Sequence, residues 1–294
     1  MSKNQNSQDH RYMSLAFQRA NDYLGSTKEN PSVGCILVKN GSVISSGSTA
    51  FNGRPHAEAN ALKKKINFNG STMYITLEPC VHYGKTSPCV NQIIKNKIKK
   101  VYYPILDQDL RTRNKAKKIL NKKKIKVKNG VLKSEALNFY KSYFLFKSKK
   151  ALPYLDAKIA ISNDFFSINK KKKWITNQES RKKVHIIRSK YDCILSTYKT
   201  VNTDNSKLNC RLSGIENLSP SRVIIDMNFK LKESLDIYKT SKNIKTYVIV
   251  GKNNFKKEKF LKSKHIKIIK IKDKNKRFLF EDILKKLKKM GFSR

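Results

Sequence analysis

The chain has 294 residues, with 65 Lys plus Arg against 21 Asp plus Glu and a formal net charge of +44. Its 38% hydrophobic and 10% aromatic content is too high for a disordered polyelectrolyte, and no apolar run of about 18 residues is present to span a bilayer. The length exceeds what one average core needs, so two domains are expected.

The N-terminal stretch, residues 1–6, lacks the apolar run of a secretory signal, and five cysteines are an odd number for a disulfide framework. A reducing, cytoplasmic setting with no membrane partner is the expectation. Lysines are dispersed along the chain, as in residues 95–100 and 115–128, rather than gathered on one stripe or arm. That distribution reads as lysine at solvated positions and gives no specific nucleic-acid partner; a phosphorylated small molecule fits the charge equally well.

Taken in chain order, residues 9–23 have Tyr12, Leu15, Ala16 and Tyr23 on one helical face. Residues 33–38 and 43–46 predict a hairpin around Asn40-Gly41, the dipeptide preferred by a type I′ turn. Alternating elements follow: helix 56–65, strand 72–77, helix 88–97 with Pro88 in its first turn, strand 100–105, helix 114–120, strand 125–127 and helix 134–146. Residues 147–150, Lys-Ser-Lys-Lys, are polar and mark a boundary, giving domains of 1–147 and 148–294. Beyond it the pattern predicts strand 153–161, helix 178–189, strands 192–196, 222–226, 246–250 and 265–271, and helix 281–290. Residues 291–294 read as a loop toward another strand, so the second domain is expected to be incomplete at its C-terminus.

The strongest chemical signal is His56-Ala57-Glu58, then Thr76-Leu77-Glu78-Pro79-Cys80, then Pro88-Cys89. One imidazole and two thiolates make the three-ligand, open-position set of a catalytic Zn2+, whereas a structural site closes with a fourth protein ligand. Zinc lowers the pKa of a bound water from about 15.7 to near 7. Glu58, two positions after the histidine, is placed to move protons between that water, a ring nitrogen and the departing ammonia, so it is the catalytic candidate. Both cysteines are expected near a helix N-terminus, where the dipole favours thiolates. Cys35 and Cys193, inside predicted strands, read as small buried hydrophobes.

The set matches a zinc-deaminase signature except for one spacing. Nucleoside and nucleic-acid deaminases place two residues between the cysteines, whereas here residues 81–88 intervene. With Asn30-Pro31-Ser32-Val33-Gly34-Cys35 upstream, the chain resembles the bifunctional riboflavin-biosynthesis family, which joins a diaminohydroxyphosphoribosylaminopyrimidine deaminase to a 5-amino-6-(5-phosphoribosylamino)uracil reductase.

This resemblance implies an α/β fold: an N-terminal cytidine-deaminase-like three-layer domain and a C-terminal dihydrofolate-reductase-like domain, the latter truncated. It implies deamination of 2,5-diamino-6-ribosylamino-4(3H)-pyrimidinone 5′-phosphate, followed by NADPH reduction of the ribosyl group to ribityl. By position, Asn30, His82 and Lys85 correspond to deaminase substrate contacts. Ala160, Trp174, Thr200 and Asp204 correspond to NADPH contacts, and Arg188, Leu208 and Arg211 to reductase substrate contacts.

The chain also departs from the family. Thr49 stands where many members have a substrate-binding histidine, and Arg54 where an acidic residue is common. Phe165 replaces the glycine of Ser-x-Asp-Gly, Asn205-Ser206 replaces Asp-Pro, and lysines occupy 170–173. A glycine-rich segment that cradles cofactor phosphates in the family lies beyond residue 294, so weak or absent reductase activity is expected, with exposed apolar surface favouring a homo-oligomer.

Two other readings stay open. One is a zinc deaminase acting on a nucleic-acid base or nucleoside, suggested by the charge. The other is a non-catalytic basic binding module that keeps zinc as a relic.

Overall fold

A computed structural model describes residues 3–167, 174–271 and 280–294. Residues 168–173, the lysines at 170–173 among them, lie outside the described residues. The chain forms two compact units, Met1–Ala151 and Leu152–Phe292, so the change falls just after the polar run 147–150.

In the first unit, α1 (Lys3–Ala20) precedes the hairpin β1 (Gly34–Lys39) and β2 (Ser42–Ser48). Asn40 and Gly41 both have positive φ, 50° and 75°, as a type I′ turn requires. There follow α2 (Ala57–Ala61), β3 (Thr72–Ile75), α3 (Cys89–Lys95), β4 (Lys100–Tyr103), α4 (Ala116–Lys122), β5 (Lys126–Asn129), α5 (Lys133–Phe139) and α6 (Lys141–Lys147). The sheet order is β2-β1-β3-β4-β5; β1 pairs antiparallel with both β2 and β3, and β3, β4 and β5 are parallel.

Period-two alternation sends side chains to both faces of this sheet. Cys35, Leu37, Met73, Ile75, Val101 and Tyr103 face Ala57 and Ala61 of α2, Val90 and Ile93 of α3, and Leu120 of α4. On the other face Ile36, Val38, Tyr74 and Tyr102 pack against Met13 and Ala16 of α1. The result is three layers, α/β/α. Close approach is sequence-encoded at Gly47, where a Cβ would stand 2.4 Å from Ala57 O and 2.5 Å from Ala61 N. Any larger residue there would push α2 off the sheet.

Two helices differ from expectation. The predicted helix 56–65 shortens to five residues because only Ala57, Glu58 and Ala61 are buried, and packing rather than propensity sustains a helix this short. The predicted helix 134–146 divides at Tyr140, whose hydroxyl lies 2.6 Å from Thr76 Oγ1 and donates to Ser32 O at 3.1 Å.

The second unit contains α7 (Gln178–Arg188), β6 (Cys193–Thr197), α8 (Tyr198–Asp204), β7 (Ser221–Ile225), β8 (Thr246–Val250), α9 (Phe255–Ser263), β9 (Ile266–Lys270) and α10 (Phe280–Lys289). Its four strands are all parallel in the order β6-β7-β8-β9. Ile224, Val248 and Val250 face Val201 of α8 and Leu261 of α9, while Val223, Tyr247, Ile249 and Ile269 face Ile283 and Leu287 of α10. A sheet covered on both faces explains why β8 is buried at every position.

The predicted strand 153–161 is a correction. These residues form no ladder with any described strand, and Leu155 and Ile159 are 52% and 68% exposed. Alternating apolar residues read as a strand, yet pairing is decided by a partner elsewhere in the chain. The sequence pattern did not predict helices α8 and α9; α8 follows directly on β6, and α9 starts after a four-residue loop from β8.

Candidate active site

His56 closes an extended segment immediately before α2, and Glu58 sits in the helix's first turn, 4% exposed. Cys80 lies in the loop after β3. Cys89 is the first residue of α3, behind Pro88, and its N–H donates to Cys80 Sγ at 3.3 Å. One helix N-terminus thus serves both sulfurs.

His56 Nδ1 lies 3.7 Å from Cys80 Sγ and 3.4 Å from Cys89 Sγ, and the three ligand atoms fall within 4.8 Å of one another. A tetrahedral zinc with Zn–N of about 2.05 Å and Zn–S of about 2.3 Å would separate its nitrogen and sulfur ligands by about 3.6 Å. The donor set therefore fits zinc in type and in spacing. His56 Nε2 is buried without a hydrogen-bond partner, and the Nδ1 edge of the ring is the one turned to the two sulfurs. Among the described residues no further His, Cys, Asp or Glu joins this group, so a coordination position stays open.

Burial, reinforced by the Cys80 charge, pushes the Glu58 carboxyl up to about 7. The Cys80 thiol is lowered by its hydrogen bond with Cys89, and the Cys89 thiol is raised correspondingly. A carboxyl that can gain or lose a proton near neutrality beside a metal-ligand cluster suits proton transfer.

His56, Glu58 and Cys80 form one wall of a pocket also lined by Asn30, Thr49, Arg54, His82, Asp107, Asp109, Arg111, Tyr143 and Lys147. Asn30 Nδ2 donates to Gly53 O at 3.3 Å, and His82 Nδ1 lies 3.1 Å from Thr112 Oγ1. Thr49 is buried, its hydroxyl accepting from Val33 N at 2.9 Å. Arg54 Nη1 donates to Thr86 Oγ1 at 2.7 Å, fastening the loop between the cysteines. Lys85 is exposed on that loop and is not among the lining residues.

Residues 107–111 carried no motif and were missed by sequence reading. Their position beyond the carboxyl end of β4 was the available signal, because ligands in parallel sheets gather there. Glu78 holds this loop: Oε2 accepts from the N–H groups of Asp107 (3.2 Å) and Asn114 (3.0 Å), and Oε1 from those of Lys115 and Ala116 (both 3.1 Å). Tyr143 donates to Asp107 Oδ1 at 2.9 Å.

In the second unit, Arg188 and Arg211 converge on Asn209. Arg188 Nη1 donates to Asn209 O at 2.5 Å and Arg211 Nη1 to Asn209 Oδ1 at 2.8 Å. Leu208, in the left-handed region at φ 49°, is buried beside them in the chain. Thr200 and Asp204 are exposed on α8, directly after β6. Trp174 is 56% exposed with Arg181 Cζ 4.6 Å from its ring centroid, and Ala160 is half-buried in the unpaired segment. Asn209 was not singled out from sequence.

Fold and site together define a zinc-binding deaminase unit followed by a reductase-type α/β unit. Residues 6–105 match the cytidine and deoxycytidylate deaminase zinc-binding region, and residues 153–294 match the RibD C-terminal domain. The riboflavin biosynthesis protein RibD of Aquifex aeolicus is 35% identical over 285 residues, covering 96% of this chain and 78% of that protein. Its counterpart in Actinobacillus pleuropneumoniae is 32% identical over 282 residues, covering 95% and 74%. Among solved structures, a diaminohydroxyphosphoribosylaminopyrimidine deaminase/5-amino-6-(5-phosphoribosylamino)uracil reductase from Thermotoga maritima superposes with a TM-score of 0.83 at 28% identity, covering 98% of this chain and 80% of that one. The chain belongs to the RibD family of riboflavin biosynthesis proteins.

Proposed function

We propose that the first unit hydrolytically deaminates 2,5-diamino-6-ribosylamino-4(3H)-pyrimidinone 5′-phosphate and that the second reduces the ribosyl group of the product with NADPH, two steps of riboflavin biosynthesis. The observation that carries this reading is Glu58, buried in the first turn of α2 two positions after His56 and lining the same pocket as the open His56/Cys80/Cys89 set. Zinc held by these three residues supplies a Lewis acid that makes water nucleophilic at neutral pH.

Glu58 takes one proton from the attacking water and passes it to a ring nitrogen, then carries the remaining hydroxyl proton of the tetrahedral adduct to the departing amine as the carbonyl forms. A C–O bond forms, a C–N bond breaks, and ammonia leaves. Asn30 and His82 hold the pyrimidine within the pocket, with Lys85 approaching from the loop. Glu58 itself, 4% exposed, is shielded from bulk water.

In the second unit Thr200 and Asp204, with Ala160 and Trp174, would hold NADPH; the exposed hydroxyl and carboxylate at the carboxyl end of β6 suit a dinucleotide's sugar and amide groups. Arg188 and Arg211, joined through Asn209, orient a sugar phosphate, with Leu208 packed behind. Hydride delivery to the ribosyl C1′ belongs to the cofactor.

All five cysteines are free, which supports a reducing, cytoplasmic setting, and no described helix is long and apolar enough to cross a membrane. Exposed Leu155, Ile159 and Phe166 support association with a second copy. The test is ammonia release by zinc-loaded protein given the diaminopyrimidine phosphate. Stoichiometric release is expected; metal-replete protein that releases none overturns the deaminase reading.

A further inference from the structure

The deaminase reading leaves one chemical requirement without an assigned residue inside the pocket. Its substrate carries a phosphate at the end of a ribose, and a phosphate dianion entering a protein site needs fixed cationic donors. Lys85, the cation suggested by the motif, does not line the pocket. Three other cations do: Arg54, Arg111 from the β4–α4 loop, and Lys147 at the end of α6.

Asp109 organises Arg111 and Lys147. Arg111 Nε lies 2.9 Å from Asp109 Oδ1, and Nη2 lies 2.5 Å from Oδ2, a bidentate pairing that fixes the guanidinium plane. Lys147 Nζ is 3.5 Å from the same Oδ2 and 5.5 Å from the Tyr143 ring centroid. The pairing occupies one edge of the Arg111 fork and leaves Nη1 for a ligand, while half or more of the side chain stays open to solvent at 61% exposure. Asp109 and Asp107 balance these two cations in formal charge, so the capacity to bind an anion rests on the remaining guanidinium edge of Arg111 and on the Lys147 ammonium, not on a net positive charge. Asp107 accepts from the Tyr143 hydroxyl and the Asp109 N–H; Arg54 gives Nη1 to Thr86 Oγ1 on the loop between the cysteines, and among the described residues no carboxylate fixes its guanidinium plane as Asp109 fixes that of Arg111.

We propose that Arg111, positioned by Asp109, forms with Lys147 the seat for the substrate's 5′-phosphate at the mouth of the deaminase pocket. This deepens the deaminase reading and rests on it. A guanidinium held in plane loses little rotamer freedom on binding, so it selects phosphorylated over unphosphorylated ribosylaminopyrimidine at small entropic cost.

The experiment compares kcat/KM for the phosphorylated substrate with that for its dephosphorylated form in wild type, Arg111→Gln, Lys147→Gln and the double variant. The ratio is expected to fall about 10- to 100-fold in Arg111→Gln and further in the double variant, with the change carried by KM. The inhibition constant of ribose 5-phosphate against deamination should rise in parallel, and Arg111→Lys, which keeps charge without the fork, should recover part of the ratio. Equal losses on both substrate forms, or a ratio within about twofold of wild type in the double variant, overturn the proposal. Calorimetric titration with ribose 5-phosphate keeps the two readings apart. Heat lost on Arg111→Gln supports the seat even in protein that releases no ammonia. Ammonia release with a titration unchanged in the double variant overturns the seat and leaves deamination standing.

Discussion

His56 Nδ1 and Cys89 Sγ, 33 positions apart in the chain, lie 3.4 Å from each other, at the separation expected of two ligands sharing one tetrahedral zinc. The contact joins the start of α2 to the start of α3. Because the binding free energy of such a site depends on all its donors, removing one should be felt as lost metal. Cys89→Ala and His56→Ala are each expected to lower zinc content from about one per chain to a small fraction, measured by elemental analysis after dialysis against a weak chelator. Full retention of zinc in both would remove this group as the metal site.

Glu58 separates an enzyme from a zinc-bearing relic. Glu58→Gln preserves the size and burial of the side chain and is expected to leave zinc content unchanged while lowering the deamination rate by about 10²- to 10⁴-fold, the usual worth of a positioned proton carrier. Equal turnover in variant and wild type would remove the carboxylate from the chemistry.

The Glu78 carboxylate accepts four backbone N–H groups from the loop that carries Asp107, Asp109 and Arg111. Glu78→Ala leaves these donors without their acceptor. A cost of about 2–4 kcal/mol in urea unfolding is expected, since each abandoned buried donor costs about 1–3 kcal/mol and some reach water. Glu78→Gln, which retains one acceptor oxygen, should lie between.

Asp109 gives a pH signature. Arg111, hydrogen-bonded to it, holds its carboxyl well below the usual carboxylate range, with Lys147 assisting. Its folded-state value lies below the unfolded one near 3.9, so its stabilising contribution is fully present above that pH and lost as pH falls through the folded-state value. Carboxyl-carbon NMR should place the Asp109 midpoint below that of an unperturbed aspartate, and Arg111→Gln should move it upward. A midpoint unaffected by the substitution would contradict the pairing.

Phe165 occupies φ +65°, and its N–H donates to Ser162 O at 3.0 Å in a tight turn. A left-handed conformation costs a side-chain-bearing residue about 1–2 kcal/mol, part of which glycine returns as chain entropy. Phe165→Gly is therefore expected to stabilise the second unit by about 0.5–1 kcal/mol in denaturant unfolding. A destabilisation would show that the 81% exposed ring has a partner that compensates for the strain.

The sequence by itself brought out His56, Glu58, Cys80 and Cys89, which the structure gathers into one cluster, and most of the regular elements. His-x-Glu and two Pro-Cys dipeptides have few other uses, and the alternation in β1 or β8 follows from burying one or both faces of a strand. The Asn40-Gly41 turn was legible for the same local reason, a demand for positive φ at two adjacent residues. Only the tertiary structure decided that residues 152–161 stay outside the sheet, that Tyr140 breaks a helix to reach Thr76, and that Lys85 stands outside the pocket that Arg111 and Lys147 line. Each of these depends on a partner distant in sequence. Local pattern specifies what a segment can form, and long-range contacts select which of those forms is occupied and what its side chains face.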